Sequence, residues 1–290
     1  MNDKMNNNKL KKEIVKIVNS QILNISKKEI GFLYNSWFNG LGTKDKWIQN
    51  KKVINEKLNV PEKAYLRGID LPFYFGNIET ANKRVMIVGL DPLRHPSAFE
   101  EAKDSNGKVI GANIQTDVLL GTPYALHLMI KKESEKESKK KSKYRTIIEN
   151  LQKDNFVYLT DLYKTFFRVK VTSKEIRSYD YFRKKDINTN SLEILLNEIN
   201  LVDPHIIITF GSDIITKLTG KKVHSLSKKK VVKTFCNHVE NIPILPLVHP
   251  AAWNSHLNDF FEANEIDVRK PDFDYGVAFS ELIERHLSYD

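Results

Sequence analysis

Cysteine is almost absent: Cys236 is the single one in 290 residues. An internal disulfide is therefore excluded, and so is any cysteine-ligated zinc or iron–sulfur centre within the chain. Long apolar runs are lacking too. None approaches the ~20 residues that a membrane-spanning helix needs. The N-terminus, MNDKMNNNKLKKEIVKIVNS, has no apolar stretch of the signal-peptide kind. The expectation is a cytoplasmic protein with no membrane partner. Acidic side chains are in deficit, 36 against 46 basic, for a formal net charge of +10. That balance favours a polyanionic partner, nucleic acid first, although solvated lysine-rich helix faces produce the same excess.

What is present supports a real core, since 41% of the residues are hydrophobic. Residues 1–60 read as a polar, helical N-terminal extension, with Ile14, Ile17, Val18, Ile22 and Leu23 at helical spacing. Residues 61–290 read as one α/β domain, opened by an irregular aromatic lead-in, VPEKAYLRGIDLPFYFGNI (60–78). Four short runs follow: RVMIVG (84–89), FVYLT (156–160), HIIITFG (205–211) and IPILPLV (242–248). They are nearly continuous in apolar character, as in strands buried on both faces of a parallel sheet. Helical patterns around 144–153, 191–200 and 212–219 separate them. The fold class expected is α/β, a central four-stranded parallel sheet flanked by helices.

Two basic segments interrupt this order. Residues 131–143, within the insertion KKESEKESKKKSKYR (131–145), hold seven lysines and three glutamates and no apolar side chain. SKKKVVK (227–233) is the second. Each is suited to DNA phosphates and equally to plain solvation.

Ligands of open parallel sheets bind beyond the carboxyl ends of the strands. Asp91 follows the first strand, Asp161 ends the second, Gly211 and Ser212 follow the third, and His249 and Pro250 follow the fourth. Four polar placements at one sheet edge point to a single site.

These segments also carry a resemblance. GLDPLRHPS resembles the water-activating motif of the uracil-DNA glycosylase superfamily. VYLTDLYK (157–164) is similar to its base-recognition strand, DPHIIITFGSDIITKL (203–218) to its glycine turn and helix, and LVHPAAW (247–253) to its closing histidine-proline turn. GTPYAL (121–126) resembles the segment that carries the base-stacking aromatic. The set spans roughly residues 80–260, in family order. The single cysteine sets the chain apart from the iron–sulfur branches, although VYLTDLYK looks closest to those.

The resemblance implies hydrolysis of an N-glycosidic bond in DNA, with no metal and no cofactor. Asp91 would stabilise the oxocarbenium-like sugar and position or deprotonate a water; the same residue type also caps helices. His249 would donate to the pyrimidine O2 as charge gathers on the departing base; an ordinary turn histidine is the plainer alternative. The nucleotide must leave the stack to be reached, so Tyr124 would stack on the flipped base and Trp253 would fill the gap. Core packing would explain either aromatic equally. His95, Ser97 and Ser212 are candidates for phosphate contacts. No lysine nucleophile stands out, which implies a monofunctional enzyme leaving an abasic site. A monomer is the default expectation.

Two positions depart from the family pattern. Asp161 stands where an asparagine reads the base. An ionised carboxylate only accepts hydrogen bonds, which suits the cytosine N4 amino group and opposes uracil O4. A protonated Asp161 would donate to cytosine N3. Leu93 replaces a tyrosine that crowds pyrimidine C5, so the pocket would admit a C5 substituent. Together they point to a C5-modified cytosine, hydroxymethylated or glucosylated as in some phage genomes, and to anti-phage defence. The alternatives are a uracil or deaminated-base glycosylase in repair, and a non-catalytic DNA-binding module on the same fold.

Overall fold

The computed structural model describes residues 5–23, 64–70, 72–90, 101–103, 109–112, 143–171, 174–177, 191–220, 223, 225–236 and 239–288. Helix α1 (Asn7–Ile17) starts at Asn6, whose side chain accepts a hydrogen bond from Lys9 N at 2.9 Å. That satisfies one of the N–H groups a first helical turn leaves open. A short π-helical stretch, Val18–Leu23, extends it.

The remaining elements follow in chain order. Strands β1 (Ala64–Ile69), β2 (Phe73–Phe75), β3 (Lys83–Gly89), β4 (Glu101–Lys103) and β5 (Val109–Ala112) come first. Helix α2 (Lys143–Leu151) leads into β6 (Asn155–Asp161), β7 (Thr165–Val171) and β8 (Lys174–Arg177). Then come α3 (Ser191–Val202), β9 (Ile206–Phe210), α4 (Ser212–Thr219), β10 (Thr234–Cys236), β11 (Val239–Leu247), α5 (Asn254–Ala263) and α6 (Tyr275–Leu287).

The main sheet has six strands in the order β10-β11-β9-β3-β6-β2. Its centre, β11-β9-β3-β6, is parallel and consists of the four strands expected from the sequence. Two short antiparallel strands complete the edges: β2 from the aromatic lead-in, and β10 just after the second basic segment. A second sheet joins β1, β7 and β8.

The central strands are apolar on both sides because both sides are covered. Met86, Val88, Tyr158 and Ile207 face α1, α3 and α4, through Leu10, Ile14, Ile199 and Ile214. Val85, Ile87, Leu159 and Ile208 face α2, α5 and α6, through Ile148, Phe260 and Phe279. Alternate residues of one strand thus enter two separate cores. The N-terminal helix is one of the layers, with Leu10, Ile14 and Val18 fully buried.

Strand order also locates the binding edge. The connection from β3 runs to β6 on one side, and that from β9 to β11 on the other. Adjacent parallel strands whose connections diverge open a crevice at their carboxyl ends. Of the first basic segment, residues 143–145 open α2 and the remainder lies outside the described residues. Among the described residues no helix is long and apolar enough to cross a membrane.

Candidate active site

The site is assembled at that edge from the ends of β6, β9 and β11 and the start of α2. Asp161 is the last residue of β6 and is buried, 3% exposed. It stands opposite Gly89 in the parallel register. Its carboxylate occupies the space where a β-carbon on Gly89 would be. Glycine at this position lets the acid approach β3 closely, and any larger residue would push the carboxylate aside.

His249 follows β11 in a tight turn, in which Ala252 N donates to His249 O at 2.8 Å. Ala251 N donates to His249 Nδ1 at 3.1 Å. That bond makes Nδ1 an acceptor and leaves the proton of a neutral ring on Nε2. One side of the ring is open to solvent, while the protein packed around the rest desolvates it and lowers its pKa. A neutral imidazole with its proton on Nε2 is the result near pH 7.

Tyr144 connects the two. Its ring meets His249 edge-on at 5.7 Å and Phe210 edge-on at 5.1 Å. Desolvation first, and then the Asp161 charge, hold its hydroxyl well above the ordinary tyrosine range. The phenol therefore stays a protonated donor within electrostatic reach of Asp161. The start of α2 is pinned in place by Lys143, whose Nζ lies 4.5 Å over the Tyr275 ring and donates to Asn254 Oδ1 at 3.2 Å.

Ser212 opens α4 behind Gly211, which adopts φ +101 and donates from its N to Leu247 O at 2.9 Å. The left-handed φ favours glycine and turns the helix N-terminus toward the edge. Trp253 caps α5 and is 83% exposed, so it projects into solvent rather than packing under the turn.

Residues 75–268 fit the family model of the uracil DNA glycosylase superfamily. The chain belongs to that superfamily. No curated protein sequence matches it significantly. Membership supports DNA as the partner and a glycosylase reaction as the chemistry.

For this superfamily member, the described structure places Asp161, Ser212 and His249 at the carboxyl ends of the parallel strands β6, β9 and β11, with Trp253 four residues beyond the histidine. Asp91, Leu93, His95, Ser97 and Tyr124 lie outside the described residues. Sequence reasoning missed Tyr144, which looked like the tail of a lysine-rich insertion. It also passed over Gly89 and Lys164, although both sit inside motifs already singled out.

Proposed function

We propose that the chain is a monofunctional DNA glycosylase that hydrolyses the N-glycosidic bond of a flipped, C5-modified cytosine and leaves an abasic site. The observation that carries this reading is the pairing of an acidic reader with a neutral donor around one crevice. Asp161 is packed against Gly89, and His249 is held as an Nε2–H tautomer. A carboxylate at the reading position accepts from an amino group such as cytosine N4 and repels a carbonyl such as uracil O4.

In this reading the base enters the crevice with its polar edge toward Asp161 and its O2 toward His249. As the bond from C1′ to N1 breaks, electrons pass to the base, and the His249 N–H stabilises the charge on O2. Asp91 stabilises the positive sugar and takes a proton from water, whose oxygen bonds to C1′. The departing base takes up a proton from solvent and leaves neutral. Asp91 returns the water proton to solvent, so that the sum is addition of one water across the C1′–N1 bond. Leu93 gives room at C5, Tyr124 stacks on the base, and Trp253 enters the duplex where the nucleotide has left. His95, Ser97 and Ser212 hold phosphates beside the lesion. The protein acts as a cytoplasmic monomer with no cofactor, and restriction to a modified base suits defence against phage whose genomes carry it.

The test is base release from matched DNA carrying uracil, cytosine, hydroxymethylcytosine or glucosylated hydroxymethylcytosine, followed by alkali. Cleavage with a modified cytosine alone is expected. Asp91→Asn should abolish release and spare DNA binding, and Asp161→Asn should move preference toward uracil. Cleavage only with uracil would make it a deaminated-base repair enzyme. Binding without release of any base would leave a DNA-binding module.

A further inference from the structure

Directly behind Asp161 lies a sealed cluster of charges. Asp70 and Glu198 are fully buried, and Lys164 is 2% exposed. Lys164 Nζ donates to Asp70 Oδ2 at 2.8 Å and to Glu198 Oε2 at 2.6 Å. It also lies 2.6 Å from Thr160 Oγ1. Tyr158 donates its hydroxyl to Glu198 Oε1 at 3.3 Å. The Thr160 hydroxyl lies 2.7 Å from Asp70 Oδ2.

Such a cluster is expensive to bury. Removing charges from water often costs as much as their pairing returns, so a buried ion pair is weak support for stability alone. Its contacts with Asp161 give it another use. Asp161 N donates to Asp70 Oδ2 at 2.9 Å, and Asp161 O accepts from Lys164 Nζ at 2.7 Å. Both main-chain polar groups of one residue end on the cluster, while its carboxylate lies against Gly89.

Three separate elements deliver these groups. Asp70 follows β1 and Lys164 precedes β7, and Asp70 N donates to Lys164 O at 2.8 Å, continuing the β1–β7 ladder by one pair. Glu198 comes from α3. The small sheet and a helix of the far layer thus meet at the main chain of a single site residue.

We propose that Asp70, Lys164 and Glu198 are positioning residues for Asp161, and that this anchor determines which base the site accepts. The proposal rests on Asp161 being the base reader. Base choice depends on placing one carboxylate oxygen against one base edge, and a displacement of about 1 Å is enough to cost a hundredfold in rate. Gly89 leaves the carboxylate its space, and the anchor sets the main-chain position from which it reaches. Burial, with Asp70 adding to it, pushes Glu198 up to about 7 against the pull of Lys164. Burial alone would lower Lys164, but the two carboxylates outweigh it and keep the ammonium charged.

The experiment compares single-turnover release of hydroxymethylcytosine and of uracil in otherwise identical duplexes. The variants are Lys164→Met and Lys164→Met/Glu198→Gln; the double variant keeps Asp70 and the same formal charge sum, and so carries the test where the single one does not fold. The ratio of the two rates should fall about tenfold or more, with duplex binding retained. Adding Lys164→Met to Asp161→Asn should change the ratio no further. Equal loss on both bases, with the ratio unchanged, would mean a merely structural cluster and overturn the proposal. An Asp161→Asn variant with unaltered base choice would instead sink the reading of Asp161, and the anchor with it.

Discussion

Gly89 and Asp161 stand opposite each other on neighbouring parallel strands, and the acid's carboxylate fills the volume a methyl group on the glycine would need. If Asp161 reads the base as proposed, the two residues make one recognition element, half of it a lack of side chain. Gly89→Ala puts a β-carbon into the carboxylate. The end of the Asp161 side chain must turn away, because it moves more easily than either strand. An off-rotamer side chain costs about 0.5–1.5 kcal/mol, so the melting transition should shift little. Base release on the preferred substrate should drop by at least about tenfold, as for any loss of reader geometry. Full activity in Gly89→Ala would show that Asp161 is not positioned by this contact.

Desolvation lowers the pKa of His249, so the ring should remain neutral below the ordinary histidine value of 6.5. A ring titration followed by NMR should give a midpoint under 6.5, and release should hold its rate as pH falls through that value. The linked stability has the matching sign. A folded pKa below the unfolded one contributes fully above 6.5, and the contribution is lost as pH falls through the folded value. A midpoint at or above 6.5 would remove the neutral-donor role.

Glu198 carries the opposite sign. Its folded pKa, raised from 4.5 to about 7, favours the protonated form of the native state. Its contribution is full below pH 4.5 and lost as pH rises through about 7. Urea unfolding at pH 5 and pH 8 should therefore show the wild type losing stability across this window relative to Glu198→Gln, by roughly a few kcal/mol. Parallel pH profiles for the two proteins would contradict it.

Gly276 sets how closely α6 approaches α2. A β-carbon there would lie 2.5 Å from Thr146 Cβ and 2.9 Å from Lys143 O. Here a helix backbone must yield, unlike the case of Gly89. Gly276→Ala should destabilise by about 1–3 kcal/mol and shift the first turn of α2, which holds Tyr144. Release should fall with it, and Gly276→Ala with wild-type stability would show that the helices separate freely.

The order and type of the central elements were legible because the physics there is local. FVYLT and HIIITF have no polar alternation, as suits short β-branched strands covered on both faces. The edge strands were hidden: β2 is three residues long inside an aromatic stretch, and β10 sits beside lysines. Asp161, Ser212 and His249 could be placed because a parallel sheet sends every strand end to one side. Tyr144 could not, since only the packing of α2 on α6 brings it to His249. Nor could the anchor, since Asp70 and Glu198 are separated by more than a hundred residues and meet only through the β1–β7 ladder and α3.

The first helix has a consequence for how the chain matures. Asn7 is tied to the β2 region: its Nδ2 donates to Gly76 O at 3.1 Å, its Oδ1 accepts from Ile78 N at 3.1 Å, and its carbonyl accepts from the Tyr74 hydroxyl at 3.1 Å. Its apolar face rests in the same core as Phe156, Ile199 and Ile207. During synthesis this helix emerges long before those partners exist. Its apolar stripe gains its full set of native partners only once α3 and β9 have been made, so until then it is a surface to which other chains can stick.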